Sequence, residues 1–419
     1  MPGAERTRAG TPMRTLEKLV ARYERTTFEP QGARARLRLT VSDAEQECDV
    51  LLEVGTARIA APRGVPEATL TADARTWRGI AEDLGRGMDA FRAGRLTVRK
   101  NLHLGIGFLA ATSGRSDPER LRFEVVRTRS ARLSTLQAGS GPPLIAIHGL
   151  GGTKGSFLPT VAELSERFRV IAVDLPGFGD SDKPVGARYD ADFFASAMVD
   201  LLDALELERA HVTGNSLGGR VALELGLAHP ERVDRLVLLC PALAWRRERP
   251  WVPLLRLTRP ELGLVQLAPR TVVEGIVRRV IPDAEKGWTA AGVDEFLRAY
   301  LTPAGRAAFY AAARHIYLDE PNGERGFWPR LAGLQPPSLF VWGVHDRLVP
   351  LAFSRHVREA LPSAQQLPLE CGHVPQIERS AETHAAMAEF LSQRAAEGSR
   401  GAARGGHAAR GRPPATPGA

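Results

Sequence analysis

The chain has 419 residues, 43% of them hydrophobic and 25% charged, which suits a soluble globular protein with room for two or three domains. No run of eighteen apolar residues occurs and the polar, arginine-bearing stretch 1–18 has no apolar leader core, so neither a membrane span nor export is indicated and a cytoplasmic location is expected. The net charge is +8, but only five of the 56 basic residues are lysine; this reads as a compositional bias toward arginine, and no nucleic-acid partner is expected.

Near the start, Leu16, Leu19, Val20 and Tyr23 recur at helical spacing and predict a short amphipathic helix over 15–23. Ala33, Ala35, Leu37, Leu39 and Val41 alternate with Arg34, Arg36, Arg38 and Thr40, the period of a half-buried antiparallel strand. Residues 48–54 and 56–60 meet at Gly55 as a hairpin, 68–71 add a strand, and Asp73 opens a helix carrying Trp77 and Ile80. Strands first and helices after describe a small α+β unit. Its closing section, Met88-Asp89-Ala90-Phe91-Arg92-Ala93-Gly94-Arg95-Leu96-Thr97-Val98-Arg99, resembles that of the sterol-carrier-protein-2-like family. The resemblance covers about residues 14–112 and implies a lipid held between the sheet and its helices, with Leu102, Leu104, Ile106, Phe108 and Leu109 as the tunnel wall. From the residues alone the same set reads as core.

Residues 113–120 are polar and without periodicity, a linker between two domains. Beyond them strand-like and helix-like runs alternate: strands at 121–126, 133–136, 143–147, 169–173, 210–213 and 233–240, with helices at 157–168, from Asp192 to Leu205, and at 220–229. Such alternation implies a mostly parallel sheet with helices on both faces and places ligand chemistry at the carboxyl ends of the strands.

The chemistry-bearing residues fall at those ends. Gly214-Asn215-Ser216-Leu217-Gly218 lies between a strand and a helix and has the form of a nucleophile elbow: a serine in a strained turn, with glycines where a Cβ would strike a neighbouring element. The N–H of Leu217 opens the helix and is expected to face the same point as Ser216, as an oxyanion donor. The strand 337–343 runs into His345-Asp346, and 365–369 runs into Glu370-Cys371-Gly372-His373, which offers an acid and then a base in the chain order a serine hydrolase needs. Upstream, 143–147 ends in His148-Gly149-Leu150-Gly151-Gly152, where Leu150 would give the second oxyanion N–H and His148 and Gly149 would brace the loop. Asp174 and Asp180, in Asp-x-Pro-Gly-x-Gly-Asp-Ser, read as loop-bracing, and His345 as a bystander. Lys154 is followed by glycine, not by serine or threonine, so the Gly149–Ser156 stretch is no phosphate loop. Cys48, Cys240 and Cys371 match neither a disulfide framework nor a zinc site. Neither a metal nor an organic cofactor is expected.

Taken together, these motifs resemble the α/β-hydrolase family over about residues 121–393, and the resemblance implies that 245–332 is a helical cap over the site. That segment holds Trp245, Trp251, Trp288 and Trp328 with Phe296, Tyr300, Phe309, Tyr310 and Tyr317, a composition suited to an apolar substrate if some of them face the pocket. Residues 394–419 are an Arg/Gly/Ala/Pro tail with too few large apolar groups to fold. The expected activity is hydrolysis of an ester or thioester of a small apolar, lipid-like acyl substrate through an acyl-enzyme on Ser216, with His373 as base, Asp346 orienting it, and lipid in the N-terminal domain as a possible partner. A serine nucleophile argues against the dehalogenase and epoxide-hydrolase branches, which carry aspartate there. Two alternatives stand: a carbon–carbon hydrolase of aromatic degradation, and a lipid carrier with a vestigial hydrolase half.

Overall fold

The computed structural model describes residues 5–30, 32, 34–82, 85–113, 121–244 and 286–393, with positions 269, 271–272, 275 and 278–279 in between. The linker residues 114–120, Trp245, Trp251, the side chain of Tyr317 and the tail 394–419 lie outside the described set.

The first part of the chain runs α1 (Glu5–Val20), β1 (Arg34–Val41), β2 (Gln46–Glu53), β3 (Thr56–Ala60), β4 (Ala68–Ala72), α2 (Ala74–Glu82), α3 (Gly85–Arg92), β5 (Leu96–Arg99) and α4 (Leu102–Ala111). Its five strands form one sheet in the order β3-β2-β1-β4-β5. The alternation in β1 does place Leu37, Leu39 and Val41 on the dry face, but the strand is antiparallel only to β2; it pairs in parallel with β4. Asp73 opens α2 as expected, its Oδ1 accepting from Thr76 N at 2.6 Å. The first helix differs from its expected span: it begins at Glu5 and stops at Val20, leaving Tyr23 in the following turn, where its hydroxyl donates to Phe28 O at 2.6 Å.

The second part runs β6 (Arg122–Arg127), β7 (Arg132–Ala138), β8 (Pro143–Ile147), α5 (Leu158–Leu164), β9 (Arg169–Val173), α6 (Ala191–Ala204), β10 (Ala210–Asn215), α7 (Leu217–Ala228) and β11 (Val233–Leu239). It continues through α8 (Lys286–Tyr300), α9 (Pro303–Tyr317), α10 (Phe327–Leu331), β12 (Ser338–Gly343), α11 (Phe353–Ala360), β13 (Gln365–Leu369), α12 (Pro375–Glu378) and α13 (Ser380–Ser392). The eight strands order as β13-β12-β11-β10-β8-β9-β7-β6; all pairs are parallel except those of β7, which lies antiparallel to both β6 and β9. Both faces are covered, so the central strands are apolar throughout: in β8, Leu144 and Ala146 enter one core and Ile145 and Ile147 the other.

The first of those cores does not stop at the larger sheet. It joins Leu70, Val98, Leu102 and Phe108 of the N-terminal part to Leu144, Leu158, Val170 and Met387 of the second, so the two sheets share one apolar interior. Helix α4 is the shared layer. A Cβ at Gly105 would press on Val98 and Leu70, and one at Gly107 would overlap the Phe28 ring, so both positions are small because neighbours already fill the space. Leu102, Leu104, Ile106, Phe108 and Leu109 are packed as core. The space left beside Leu102, Ile106, Phe123 and Leu158 amounts to about 10 Å³, room for no more than a single water.

Where α13 crosses α5, His384 is buried between Thr160 Oγ1 (2.9 Å from Nε2) and Ser380 Oγ (3.2 Å from Nδ1). Burial, with the nearby Arg92 guanidinium, pushes its pKa from 6.5 down to about 4, so the folded chain holds it neutral. An unfolded chain protonates this ring more readily; its contribution to stability is complete above pH 6.5 and is lost as the pH falls toward 4. Urea unfolding should show roughly 2 kcal/mol less stability at pH 5 than at pH 7.5 from this group. The slope should flatten in His384→Gln; an unchanged slope would assign the acid sensitivity elsewhere.

Candidate active site

β10 is buried along its whole length and runs directly into α7, which starts at Leu217 and not, as the sequence pattern predicts, at residue 220. Ser216 is therefore the corner itself. Its φ of 53° and ψ of −113° are a conformation L-residues avoid, at a cost of order 1–3 kcal/mol. The corner is held by three main-chain bonds: Ser216 N donates to Leu239 O (3.0 Å), and Ser216 O accepts from Arg220 N (3.0 Å) and Ala242 N (2.8 Å). The outer glycines are required by backbone proximity. A Cβ at Gly214 would overlap the Gly218 carbonyl, and one at Gly218 the Ile147 carbonyl.

Asp346 and His373 come from the ends of β12 and β13, and both are buried. Asp346 Oδ2 lies 2.7 Å from His373 Nδ1, while its Oδ1 accepts from Leu348 N (2.7 Å) and Val349 N (2.9 Å). A carboxylate so placed fixes the histidine as the tautomer with hydrogen on Nδ1 and leaves Nε2 with its lone pair. Asn215, next to Ser216, ties the histidine loop to the corner: its Nδ2 donates to Leu239 O (3.0 Å) and to His373 O (2.9 Å). Glu378 grips the loop from the other side, accepting from Gly372 N and Val374 N at 2.8 Å each. His345 points away, with Nε2 3.0 Å from Glu370 at the surface.

Cys240 Sγ, Asp346 and His373 offer ligand atoms within 4.8 Å of one another, a grouping that invites a metal reading. The chemistry of the set disfavours it. Burial and the adjoining Asp346 carboxylate raise the Cys240 thiol well above its ordinary pKa, so it stays protonated, and its sulfur already accepts from Gly343 N at 3.3 Å. Asp346 and His373 are committed to each other, an arrangement suited to holding a proton.

The loop after β8 closes the other side. His148 is fully buried; its Nδ1 donates to Gly149 O (2.8 Å) and its Nε2 accepts from Leu175 N (3.0 Å), and burial lowers its pKa, so it is neutral. Gly149 backs onto the corner: a Cβ there would lie 3.3 Å from both Ser216 Cβ and Asn215 Oδ1. Leu150 follows, half-buried, and Gly151, with φ of 76°, lies under Phe296 and Phe309 of the helices α8 and α9. Leu217 is the first residue of α7, whose opening N–H groups have no acceptor within the helix. The loop is thus set against the serine corner, with aromatic rings above it.

An ionic cluster that no sequence motif discloses lies behind this loop. Lys154, buried, binds Asp174 Oδ2 (2.6 Å) and Asp180 Oδ2 (3.0 Å), and Arg298 of α8 binds Asp180 through Nη1 (2.6 Å) and Nη2 (3.2 Å) and Glu295 through Nη2 (2.6 Å). Burial opposes the charge on Asp180, but Lys154, His103 and Arg298 outweigh it and hold the carboxyl well below the usual range. Asp174 and Asp180 do brace a loop, and through Arg298 they also connect it to α8. Of the tryptophans expected in the cap, Trp288 packs edge-on against Phe91 of α3, and Trp328 donates to Ala244 O (3.1 Å) and stacks on Phe353, so both serve packing.

Against known proteins, the family model for the alpha/beta hydrolase fold matches residues 142–380, more than half of the chain. The chain belongs to the α/β-hydrolase family. It is accordingly an enzyme, a hydrolase. Among similar proteins, this α/β-hydrolase is 30% identical over 279 residues to 2-hydroxymuconate semialdehyde hydrolase of Pseudomonas sp. (strain CF600), covering 62% of this chain and 91% of that one. It is 30% identical over 243 residues to a 2-hydroxy-6-oxononadienedioate/2-hydroxy-6-oxononatrienedioate hydrolase of Pseudomonas putida, covering 54% and 78%. Among solved structures, a membrane phospholipase A described as a bacterial virulence factor superposes with a TM-score of 0.56 at 29% identity, covering 65% of this chain and 86% of that one. No described helix of this α/β-hydrolase is long and apolar enough to cross a membrane.

Proposed function

We propose that this α/β-hydrolase cleaves an ester or thioester of an apolar acyl group through an acyl-enzyme on Ser216. The observation that carries the reading is the buried Asp346–His373 pair at 2.7 Å, tied through Asn215 to the corner that presents Ser216. In this reading His373 Nε2 takes the serine proton as Oγ adds to the substrate carbonyl, and Asp346 stabilises the imidazolium. The N–H groups of Leu217 and Leu150 receive the oxyanion, the leaving group departs with the proton from His373, and water repeats the sequence to release the acid. An apolar acyl group is favoured because Lys154 and Arg298 are already bound to carboxylates, while Phe296 and Phe309 cover the Gly151 corner.

A second reading, hydrolysis of a carbon–carbon bond in a 2-hydroxy-6-oxo dienoate, is favoured by the names of the Pseudomonas relatives. The two separate in one assay. On p-nitrophenyl esters from acetate to palmitate, kcat/KM should rise about fourfold per added methylene until the pocket is filled. Turnover of a 2-hydroxy-6-oxo dienoate with no ester cleaved would replace the first reading by the second.

A further inference from the structure

Helix α8, which carries Phe296 over the Gly151 corner, has its opposite stripe seated on the N-terminal part of the chain. Trp288, Ala291, Asp294, Glu295 and Arg298 recur at helical spacing along that stripe. Trp288 meets the Phe91 ring of α3 at 5.1 Å between centroids. Asp294, buried, accepts from Arg99 Nε (2.7 Å) and Lys100 N (2.8 Å) at the turn between β5 and α4. Glu295, also buried, accepts from Leu102 N (3.3 Å), the first residue of α4, and from Arg298, which continues to Asp180 and so to Lys154 behind the loop that carries Leu150. Two buried carboxylates spent on main-chain N–H groups of another part of the chain fix position, because a displaced helix would leave them desolvated and unpaired.

We propose that the β5–α4 corner of the N-terminal part is the anchor of the cap, and that Arg99 and Lys100, through Asp294, determine which substrates the site accepts by setting the height of Phe296 above Gly151. The proposal rests on the reading of Ser216 as nucleophile. Arg99 touches no reacting atom; it is a positioning residue for the aromatic wall. Its side chain is 44% exposed, so it can be replaced without opening a cavity.

The test compares wild type with Arg99→Glu, which sets a like charge against Asp294, and with Arg99→Ala, which removes only the guanidinium and leaves the bond from Lys100 N. Labelling rates of Ser216 are measured with two fluorophosphonates, one methyl-substituted and one carrying a long alkyl chain, alongside the melting temperature. Labelling needs no knowledge of the substrate. The small probe reports the reactivity of the serine and should change by less than about twofold; the long one needs the aromatic wall and should slow about tenfold in Arg99→Glu, and less in Arg99→Ala. Equal slowing of both probes, or of neither, in the folded Arg99→Ala protein overturns the anchor. Failure of wild type to be labelled by either probe overturns the serine reading instead, so the two failures are distinct.

Discussion

Ser216→Ala is expected to lose on the order of four to six powers of ten in kcat on whichever carbonyl substrate the wild type turns over, with no loss of melting temperature. The size of the effect follows from what the substitution leaves intact. Alanine keeps the Cβ, the corner remains fastened by its bonds to Leu239, Arg220 and Ala242, and the Asp346–His373 pair keeps its partners. Only Oγ goes, so on the proposed mechanism nothing remains to form the acyl-enzyme, while the backbone N–H groups proposed to hold the oxyanion stay in place. Steady-state kinetics with a melting curve on the same preparation checks both halves, and wild-type turnover by the alanine protein would end the assignment of Ser216.

Gly218→Ala should be strongly destabilising, at a cost above about 3 kcal/mol. The added Cβ would occupy the space of the Ile147 carbonyl and crowd that of His148. Both obstacles are backbone: Ile147 is locked into the centre of the sheet through β10 and β9, and His148 is held by its bonds to Gly149 and Leu175. Relief therefore requires parting α7 from β8. The matched control is Gly292→Ala in α8, where a Cβ meets nothing within 4 Å and alanine should stabilise by up to about 1 kcal/mol through helix propensity. Chemical denaturation of the pair measures the difference; equal stabilities would show that the elbow has room to relax.

The placement of the serine corner, Asp346, His373 and the loop after β8 at strand ends was legible in the sequence because each is a local event: an apolar run ends, a glycine lies close by, and the candidate side chain stands at a fixed offset. The strand order of the smaller sheet was less so, since β1 alternates identically whether its neighbour is parallel or antiparallel. Helix α1 was underestimated because its first turns are polar and contain Pro12, so no periodicity precedes Leu16. Glu378 and Cys240 gave no signal: Glu378 serves the histidine loop through Gly372 N and Val374 N in the turn before it, and Cys240 by contacts that depend on where β11 and β12 converge. The ionic cluster was invisible for the same reason, as Lys154, Asp180 and Arg298 lie far apart along the chain and only the fold assembles them. The aromatic content of residues 245–332 was visible, but not its division between Trp288 and Trp328, which pack, and Phe296 and Phe309, which cover Gly151.

The apolar interior shared by the two sheets has a bearing on descent and on engineering. A hydrolase half transplanted onto another partner would carry a wet hydrophobic wall and two stranded acids on α8, and the N-terminal half alone would bare the outer side of α4. Neither piece is a portable module. Any lineage that exchanged one had to repaint the matching face of the other in the same stroke, so Trp288, Asp294 and Glu295 should travel with Phe91, Arg99 and Lys100 as a single inherited unit.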